Sequence, residues 1–262
     1  SNFIVAALAA LAATGVYAQS SVTISGTFDP SFRSATTTYG DGAKVTQQLI
    51  GNNGQSTSNI TFKGTEDLGG GLKASFLLEN DFDSGNNPNN NLGSAGGELY
   101  TGLSGSFGNI QLGKPNTISL FTQSSSQPFG TKIGSGFSSA YTGRVRFDNS
   151  IVYTSPAISG FTFMATYANP TKATAAVTAV SATSGIISQG GVATAPITDV
   201  GVLYANGPLS GGISFFSQAA NDQSGTATTT LYGNASKISQ TNAYAAYDFG
   251  VAKLGVGYVT EK

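Results

Sequence analysis

Several residue types are missing or scarce in this 262-residue chain, and each absence excludes a class of protein. There is no cysteine, so neither a disulfide nor a cysteine-ligated metal can form among these residues. There is no histidine, which excludes a Ser-His-Asp triad and histidine-ligated zinc. Only 10% of the residues are charged, whereas typical soluble domains have about a quarter. The formal net charge of −1 leaves no basic footprint for nucleic acid, so we expect no nucleic-acid partner.

Paired carboxylates are present, but their surroundings do not indicate catalysis. Glu66 and Asp67 lie in a predicted turn, and Glu79 and Asp81 alternate along the polar face of a predicted strand. Nothing in the sequence around either pair would raise the pKa of one carboxyl, as glycoside hydrolysis requires. We therefore predict that the chain is not an enzyme and binds no cofactor or metal.

Residues 3–13 form an uninterrupted apolar run of 11 residues. This run is too short to cross a bilayer as a helix, but it has the length of the apolar region of a signal peptide. Small residues precede a possible cleavage point after Ala18. We predict that residues 1–18 are a signal peptide whose basic n-region is missing; the alternative is a buried N-terminal helix.

Residues 58–83 carry the clearest structural pattern, a period of two. Leu72, Phe76 and Leu78 share one parity, whereas Lys73 and Glu79 fall on the other. Such alternation predicts a strand with one apolar and one polar face. The preceding stretch alternates in the same way, and the segment TEDLGGG between the two supplies glycines for a tight reversal. The sequence therefore predicts an antiparallel hairpin.

The rest of the chain repeats this pattern, giving eleven strands joined by short turns and long links in strict alternation. The predicted strands lie within the hairpin 58–83 and at residues 21–28, 98–105, 109–114, 144–154, 161–167, 197–205, 212–218, 241–248 and 251–260. Residues 29–57 form a long polar segment, which is predicted to be a link between strands. Short turns on one side and long loops on the other are typical of transmembrane β-barrels, as are aromatic residues near strand ends. The alternative is a soluble sheet with one charged face.

Three segments together resemble the Gram-negative general porins, closest to those of β-proteobacteria: FKGTEDLGGGLKASFLLE (62–79), YTGLSGSFGNIQLGK (100–114) and NSIVYTSPAISGFTFMATYA (149–168). The resemblance implies an all-β fold, a transmembrane antiparallel β-barrel of roughly 16 strands around a water-filled channel. Its third extracellular loop folds inward to form the constriction, and residues 115–143 occupy that place here. Residues 19–262 would then be the N-terminal part of the barrel, with about five strands, or on the order of 100 residues, still to follow.

One feature of the family is not reproduced. Such porins set an arginine cluster on the barrel wall against acidic residues in the inward loop, but the aligned wall positions here are Asn59, Gly97 and Asp148. Arg144 and Arg146 are candidates to replace that cluster. The predicted pore-lining residues are Lys63, Lys73, Glu79, Asp81, Lys114, Arg144, Arg146 and Asp148, and the predicted constriction-loop residues are Gln127, Phe129, Lys132 and Tyr141. Bases outnumber acids on the predicted wall, which predicts a weak preference for anions.

The function predicted from these features is a channel for passive diffusion of small hydrophilic solutes and ions. The resemblance implies a homotrimer in the outer membrane, exported through the periplasm and in contact with lipid and lipopolysaccharide. Two alternatives stay open. A substrate-selective barrel for a small anion or sugar would be favoured by an aromatic track along the lumen, and a surface adhesin or passenger-type β-domain would act through the long loops.

Overall fold

A computed structural model describes residues 21–52, 55–82, 96–127, 130–131, 145–168, 196–218 and 237–262. These residues form thirteen strands and one short helix. The elements are β1 (Ser21–Thr27), β2 (Pro30–Thr38), β3 (Lys44–Asn52), β4 (Asn59–Gly69), β5 (Leu72–Asp81), β6 (Leu99–Gly105), β7 (Gly108–Lys114), α1 (Ile118–Ser125), β8 (Ser150–Thr154), β9 (Phe161–Ala168), β10 (Ile197–Asn206), β11 (Leu209–Gln218), β12 (Ile238–Asp248) and β13 (Lys253–Glu261). Across the described ranges, none of the helical structure has the length and apolar character needed to cross a membrane.

Eleven of the strands form one antiparallel sheet in the order β1-β4-β5-β6-β7-β8-β9-β10-β11-β12-β13. Apart from β1, each strand pairs with its neighbour in sequence, as expected for an up-and-down β architecture. All eleven predicted strands are present in this sheet, although several begin or end at different residues. The prediction of an all-β, antiparallel sheet of the barrel type is confirmed.

The connections of the large sheet alternate in length. Tight turns join β4 to β5, β6 to β7, β8 to β9, β10 to β11 and β12 to β13, whereas the intervening links are long. The first tight turn contains Gly69, Gly70 and Gly71 with φ of 83°, 60° and 82°. Only glycine adopts such angles without a steric penalty, so this run fixes the reversal. Short connections therefore join the strands at one end of the sheet and long ones join them at the opposite end, as predicted.

The prediction that residues 29–57 form a link without strands is wrong, because this segment contains the separate β2–β3 hairpin. Its turn includes Gly42 with φ 83°, and the backbone N–H of Ala43 donates to Oδ1 of Asp41 at 2.9 Å. Threonine-rich strands have good β propensity. Both faces of β2 are exposed, so the hairpin has no buried apolar face and lacks the alternation that reveals the other strands.

The strand predicted at residues 144–154 is shorter than expected, since β8 begins only at Ser150. The preceding Asn149 has φ 54°, a left-handed conformation that asparagine tolerates better than most residues. Arg146 and Asp148 therefore precede the strand instead of lying within it. Arg144 lies outside the described residues.

The two faces of the large sheet have opposite character. On one face, here called the outer face, Phe163 and Phe215 are 51% and 49% exposed. On the other, the inner face, Asp199, Ser214 and Asn242 are only 0%, 0% and 1% exposed. A soluble sheet buries its apolar face instead. The sheet is therefore inside-out: its exposed outer face is apolar, and its inner face carries the polar groups together with a few buried apolar side chains such as Phe216.

The strand register shows which side chains of β4 and β5 belong to the outer face and which to the inner face. Phe76 and Leu78 are 39% and 42% exposed, and Leu78 lies opposite Leu99 on the outer face. Lys63 lies opposite Leu77, on the inner parity that also contains Glu79. The orientation predicted for this hairpin, apolar outward and charged inward, agrees with the rest of the sheet.

Several aromatic side chains lie on the outer face, near the strand ends that the tight turns connect. The hydroxyl of Tyr153 donates to the backbone oxygen of Phe107 at 2.8 Å. The rings of Phe161 and Tyr204 lie 4.6 Å apart between centroids. Phe249 lies in the last tight turn and is exposed. This band matches the aromatic girdle at a membrane–water interface, where an amphipathic ring meets the headgroups.

Candidate functional site

The helix α1 lies on the inner face, within the third long link of the sheet. Thr117 caps its first turn, since its Oγ1 accepts from the backbone N–H of Leu120 at 3.2 Å. Ile118 packs with Val152 and Met164 in a small apolar cluster. Further contacts join α1 to β9, β10, β11 and β12. The predicted inward fold of residues 115–143 is confirmed for the described beginning of that link.

A buried carboxylate anchors the first turn of α1 to the wall. Oδ2 of Asp199 accepts from the backbone N–H of Ser119 at 2.9 Å, and Oδ1 accepts from the Ser119 hydroxyl at 2.8 Å. Thr117 also hydrogen-bonds to this carboxylate. The first N–H groups of a helix have no partner within the helix, and the positive end of its dipole favours an anion. Asp199, on the neighbouring sheet, therefore both accepts a hydrogen bond from the first turn of α1 and places a negative charge at the positive end of the helix dipole.

The second half of α1 is held by neutral polar groups from two further strands. Gln123 donates from Nε2 to Oε1 of Gln240 at 2.9 Å and to Oδ1 of Asn242 at 2.7 Å. Asn242 donates to the Ser214 hydroxyl at 3.0 Å, and that hydroxyl lies 2.8 Å from Oγ1 of Thr122. Leaving one such buried group unpaired costs about 1–3 kcal/mol. The network therefore holds the helix in one position across the lumenal wall.

Lys114 forms an ion pair on the inner side, although its strand parity points outward. It lies opposite Leu99 of the outer face. The preceding Gly113 has φ 136°, which breaks the regular alternation at the end of β7. The Lys114 ammonium lies 3.2 Å from Oδ1 of Asp148 and also interacts electrostatically with Asp81. The side chain thus lies among inner-face carboxylates, and its pore-lining role stays a prediction.

Arg146 is held at both of its terminal nitrogens. Nη1 donates to Oδ1 of Asn116 at 3.0 Å, and Nη2 donates to the backbone oxygen of Gly96 at 2.9 Å. The guanidinium interacts electrostatically with Asp81 and Glu98. A planar guanidinium held by two hydrogen bonds keeps its charge in a defined place. Arg146, near the end of the link that carries α1, thus supplies a positioned positive charge beside Asn116, near the beginning of that link.

Glu98 completes this charged cluster. Its Oε1 accepts from the backbone N–H of Asn116 at 2.9 Å. Burial raises the pKa of the Glu98 carboxyl, against the lowering effects of that hydrogen bond and of Arg146 and Lys63. The carboxyl therefore takes up a proton at a higher pH than an exposed glutamate does.

The remaining predicted residues have the following positions. Lys63 and Lys73 are exposed on the inner parity, and Glu79 is half-buried there. Gln127 follows the end of α1 and donates from Nε2 to the Ser126 hydroxyl at 3.3 Å. The residues that lie outside the described ranges are Phe129, Lys132, Tyr141 and Arg144.

Sequence reasoning missed most of the network under α1. The prediction does not include Asp199, Ser214, Gln240 and Asn242, although three of them occupy inner-parity positions of predicted strands and Gln240 directly precedes such a strand. Glu98 was missed as well, because it stands at the boundary of a strand. The signal was present: a polar residue on the inner parity of a sheet whose outer parity is apolar points into the lumen.

An inside-out antiparallel sheet with sorted turns and a helix against its polar face is the arrangement of a porin. A family model described as Gram-negative porin matches residues 5–262. The chain belongs to the Gram-negative porin family. It is 35% identical over 260 residues to outer membrane porin protein 32 of Delftia acidovorans, covering 95% of this chain and 66% of that protein. It is 34% identical over 218 residues to an outer membrane porin protein of Bordetella pertussis, covering 78% of this chain and 52% of that protein.

Solved porin structures share the fold. The anion-selective porin from Comamonas acidovorans superposes with a TM-score of 0.67 at 28% identity, covering 93% of this chain and 68% of that one. OmpF of Salmonella typhi superposes with a TM-score of 0.63 at 17% identity, covering 94% and 66%. This porin chain spans 66% and 52% of the lengths of the two curated relatives above. The predicted family, fold class and outer-membrane setting are confirmed.

Proposed function

We propose that the intact protein is an outer-membrane channel for passive diffusion of small hydrophilic solutes and ions. The observation that carries this proposal is the inside-out sheet: exposed Phe163 and Phe215 suit lipid, whereas Lys63 and Lys73, on the inner parity, are exposed and suit water. Solutes would move down their own gradients, with no chemical step. The segment that contains α1 would narrow the passage.

We further propose that the channel prefers anions. Two inner-face carboxylates are already engaged: Asp148 pairs with Lys114, and Asp199 accepts two hydrogen bonds from Ser119 beneath α1. Lys63 and Lys73, in contrast, are exposed to the lumen. Charges that face the water of a pore set its ion preference. A relative in the same fold is named an anion-selective porin, which supports the same sign here.

The residues proposed to set this preference lie near the two ends of α1. Arg146 is the best-positioned base, because its two hydrogen bonds hold the guanidinium beside Asn116 and Gly96. Gln127 lies at the far end of α1. The roles predicted for the other pore-lining and constriction-loop residues stay predictions.

We propose the assembly of the family as well, a homotrimer in contact with lipid and lipopolysaccharide. Val22 and Ile24 are exposed on β1, at the edge of the large sheet, where a subunit or lipid contact would cover them. Crosslinking of the intact protein in native outer membranes checks this proposal. A crosslinked trimer band is expected. Crosslinked species that include no trimer would contradict the proposal.

Planar bilayer recordings of the intact protein test the channel directly. Stepwise ion currents are expected, and in a KCl gradient the reversal potential should have the sign for chloride. Arg146→Gln should reduce that potential, because it removes a fixed positive charge from the lumen. Arg33→Gln, in the exposed hairpin outside the large sheet, is the matched control and should leave it unchanged. Absence of conductance would contradict the channel, and cation selectivity would contradict the anion preference.

A further inference from the structure

The inner face contains a cavity of about 470 Å³ between α1 and the wall strands. Its volume lies within the range of roughly 300–1,000 Å³ that is usual for small-molecule sites. Residues that line it include Glu98, Tyr100, Gln111, Phe121, Thr162 and Tyr244. We propose that this cavity is a binding subsite for a neutral carbohydrate, a hydroxylated ring of the size of a hexose. The proposal rests on the channel function and adds a class of solute to it.

Aromatic rings supply the apolar half of the site. The ring of Tyr244 crosses over Gly212, where a methyl group would lie 2.7 Å from its Cε1 atom. The absence of a side chain at Gly212 thus lets the Tyr244 ring lie along the wall rather than across the lumen. Phe121 approaches from α1 and Tyr100 from β6. Flat, rigid rings pack well against the C–H faces of a sugar ring.

Hydrogen-bonding groups supply the polar half. Gln111 hydrogen-bonds to the side chain of Tyr100, which orients both groups within the cavity wall. Thr162 adds a hydroxyl, and Glu98 adds a carboxylate whose Oε1 already accepts from Asn116. Amide, hydroxyl and carboxylate groups together can donate to and accept from the hydroxyls of one ring. A few polar groups among apolar walls are typical of a site that orients its ligand.

The charges near the cavity favour a neutral ligand. Among the described residues that line it, Glu98 is the charged one, and an anion would be repelled there. Arg146 interacts electrostatically with Glu98, so an organic cation would meet an opposing positive charge. An uncharged polyol meets neither penalty. The cavity therefore suits a class of solute different from the ions that the channel is proposed to prefer.

Ion-current recordings of the intact protein in planar bilayers test the subsite. D-glucose is expected to lower the current saturably, beyond the effect of glycerol at the same viscosity. Tyr244→Ala should raise the half-saturating glucose concentration about tenfold, equivalent to about 1.4 kcal/mol. Tyr247→Ala is the matched control, since Tyr247 lies on the same strand but on the outer face, with its ring 4.7 Å from that of Phe249. It should leave glucose inhibition unchanged.

A second variant keeps the test decisive if Tyr244→Ala does not fold. Phe121→Leu retains an apolar side chain on α1 but removes the ring, and it should also weaken glucose inhibition. Equal effects of glucose and glycerol would overturn the proposal, as would saturable inhibition by tetramethylammonium but not by glucose. Normal ion currents with no glucose effect would contradict the subsite alone. Absence of any current would contradict the channel itself.

Discussion

Replacement of Asp199 with alanine is expected to release α1 from the inner face. Both carboxylate oxygens accept from Ser119, at 2.9 Å and 2.8 Å. Hydrogen bonds to a charged acceptor contribute about 1.5–3 kcal/mol each, so their sum has an upper bound of about 3–6 kcal/mol. Burial of the carboxylate itself opposes this gain, and we expect a net loss of about 2–4 kcal/mol in docking free energy. Asp199→Asn retains the volume and one acceptor, so its loss should be smaller.

Single-channel recording is the assay for this prediction. Release of α1 should raise the mean conductance of the Asp199→Ala channel and increase the noise of its open state, with Asp199→Asn between it and the wild type. Amide hydrogen exchange within α1 should accelerate by about 30-fold or more, the kinetic equivalent of about 2 kcal/mol. Asp67→Ala, which removes an exposed acid near the end of β4, is the control. Wild-type conductance, noise and exchange in Asp199→Ala would refute the reasoning.

Three further predictions concern other contacts. The hydroxyls of Ser119 and Ser214 lie 3.3 Å apart, so cysteines introduced at these two positions should form a disulfide in a chain that has no other cysteine. The disulfide should leave the conductance unchanged. Failure of the cysteines to oxidise, or a changed conductance, would contradict the position of α1 against the inner face. Gly64→Val should lower the free energy of unfolding in lipid vesicles by about 1–3 kcal/mol, because its side chain would meet the Phe76 ring, and the loss should shrink in a Phe76→Ala background. Anion preference, measured by reversal potential, should increase as pH falls through the raised pKa of Glu98, because protonation removes the negative charge of its carboxyl. Glu98→Gln should flatten that part of the pH profile. Identical pH profiles of the wild type and of Glu98→Gln would contradict this prediction.

The strands of the large sheet could be predicted because their signal is local. Each strand places apolar residues such as Phe76 and Leu78 on one face and Glu79 on the other, so a window of ten residues contains the information. The tight turns are equally local, since a run such as Gly69–Gly70–Gly71 specifies a reversal by its backbone freedom.

Strand bounds and side-chain directions are hardest to predict where single backbone angles interrupt the alternation. Gly113 with φ 136° and Asn149 with φ 54° both lie at strand ends, and each displaces the parity of the residues beside it. Lys114 directly follows Gly113 and Asp148 directly precedes Asn149, so counting along the strands does not fix the direction of either side chain. Parity holds only while the chain stays extended, and sequence alone does not show where it bends.

The network beneath α1 could not be predicted because it is formed by tertiary contacts. Ser119 and Asp199 are 80 residues apart, and Gln123 and Asn242 are 119 apart. The helix itself carries a polar face at Ser119, Thr122 and Gln123, which in a soluble protein would face solvent. Only the inverted character of the sheet makes that face the buried one.

The central claim is that the outer face contacts lipid and the inner face contacts water, and neighbouring residues of β9 test it most directly. Thr162 lines the inner cavity and Phe163 lies on the outer face, in a chain that has no cysteine of its own. Single Thr162→Cys and Phe163→Cys variants of the intact protein would be treated in vesicles with a charged, membrane-impermeant thiol reagent. We predict that the cysteine at position 162 reacts and lowers the ion current, whereas the one at position 163 stays unmodified. Rapid modification at 163 with protection at 162 would contradict the account.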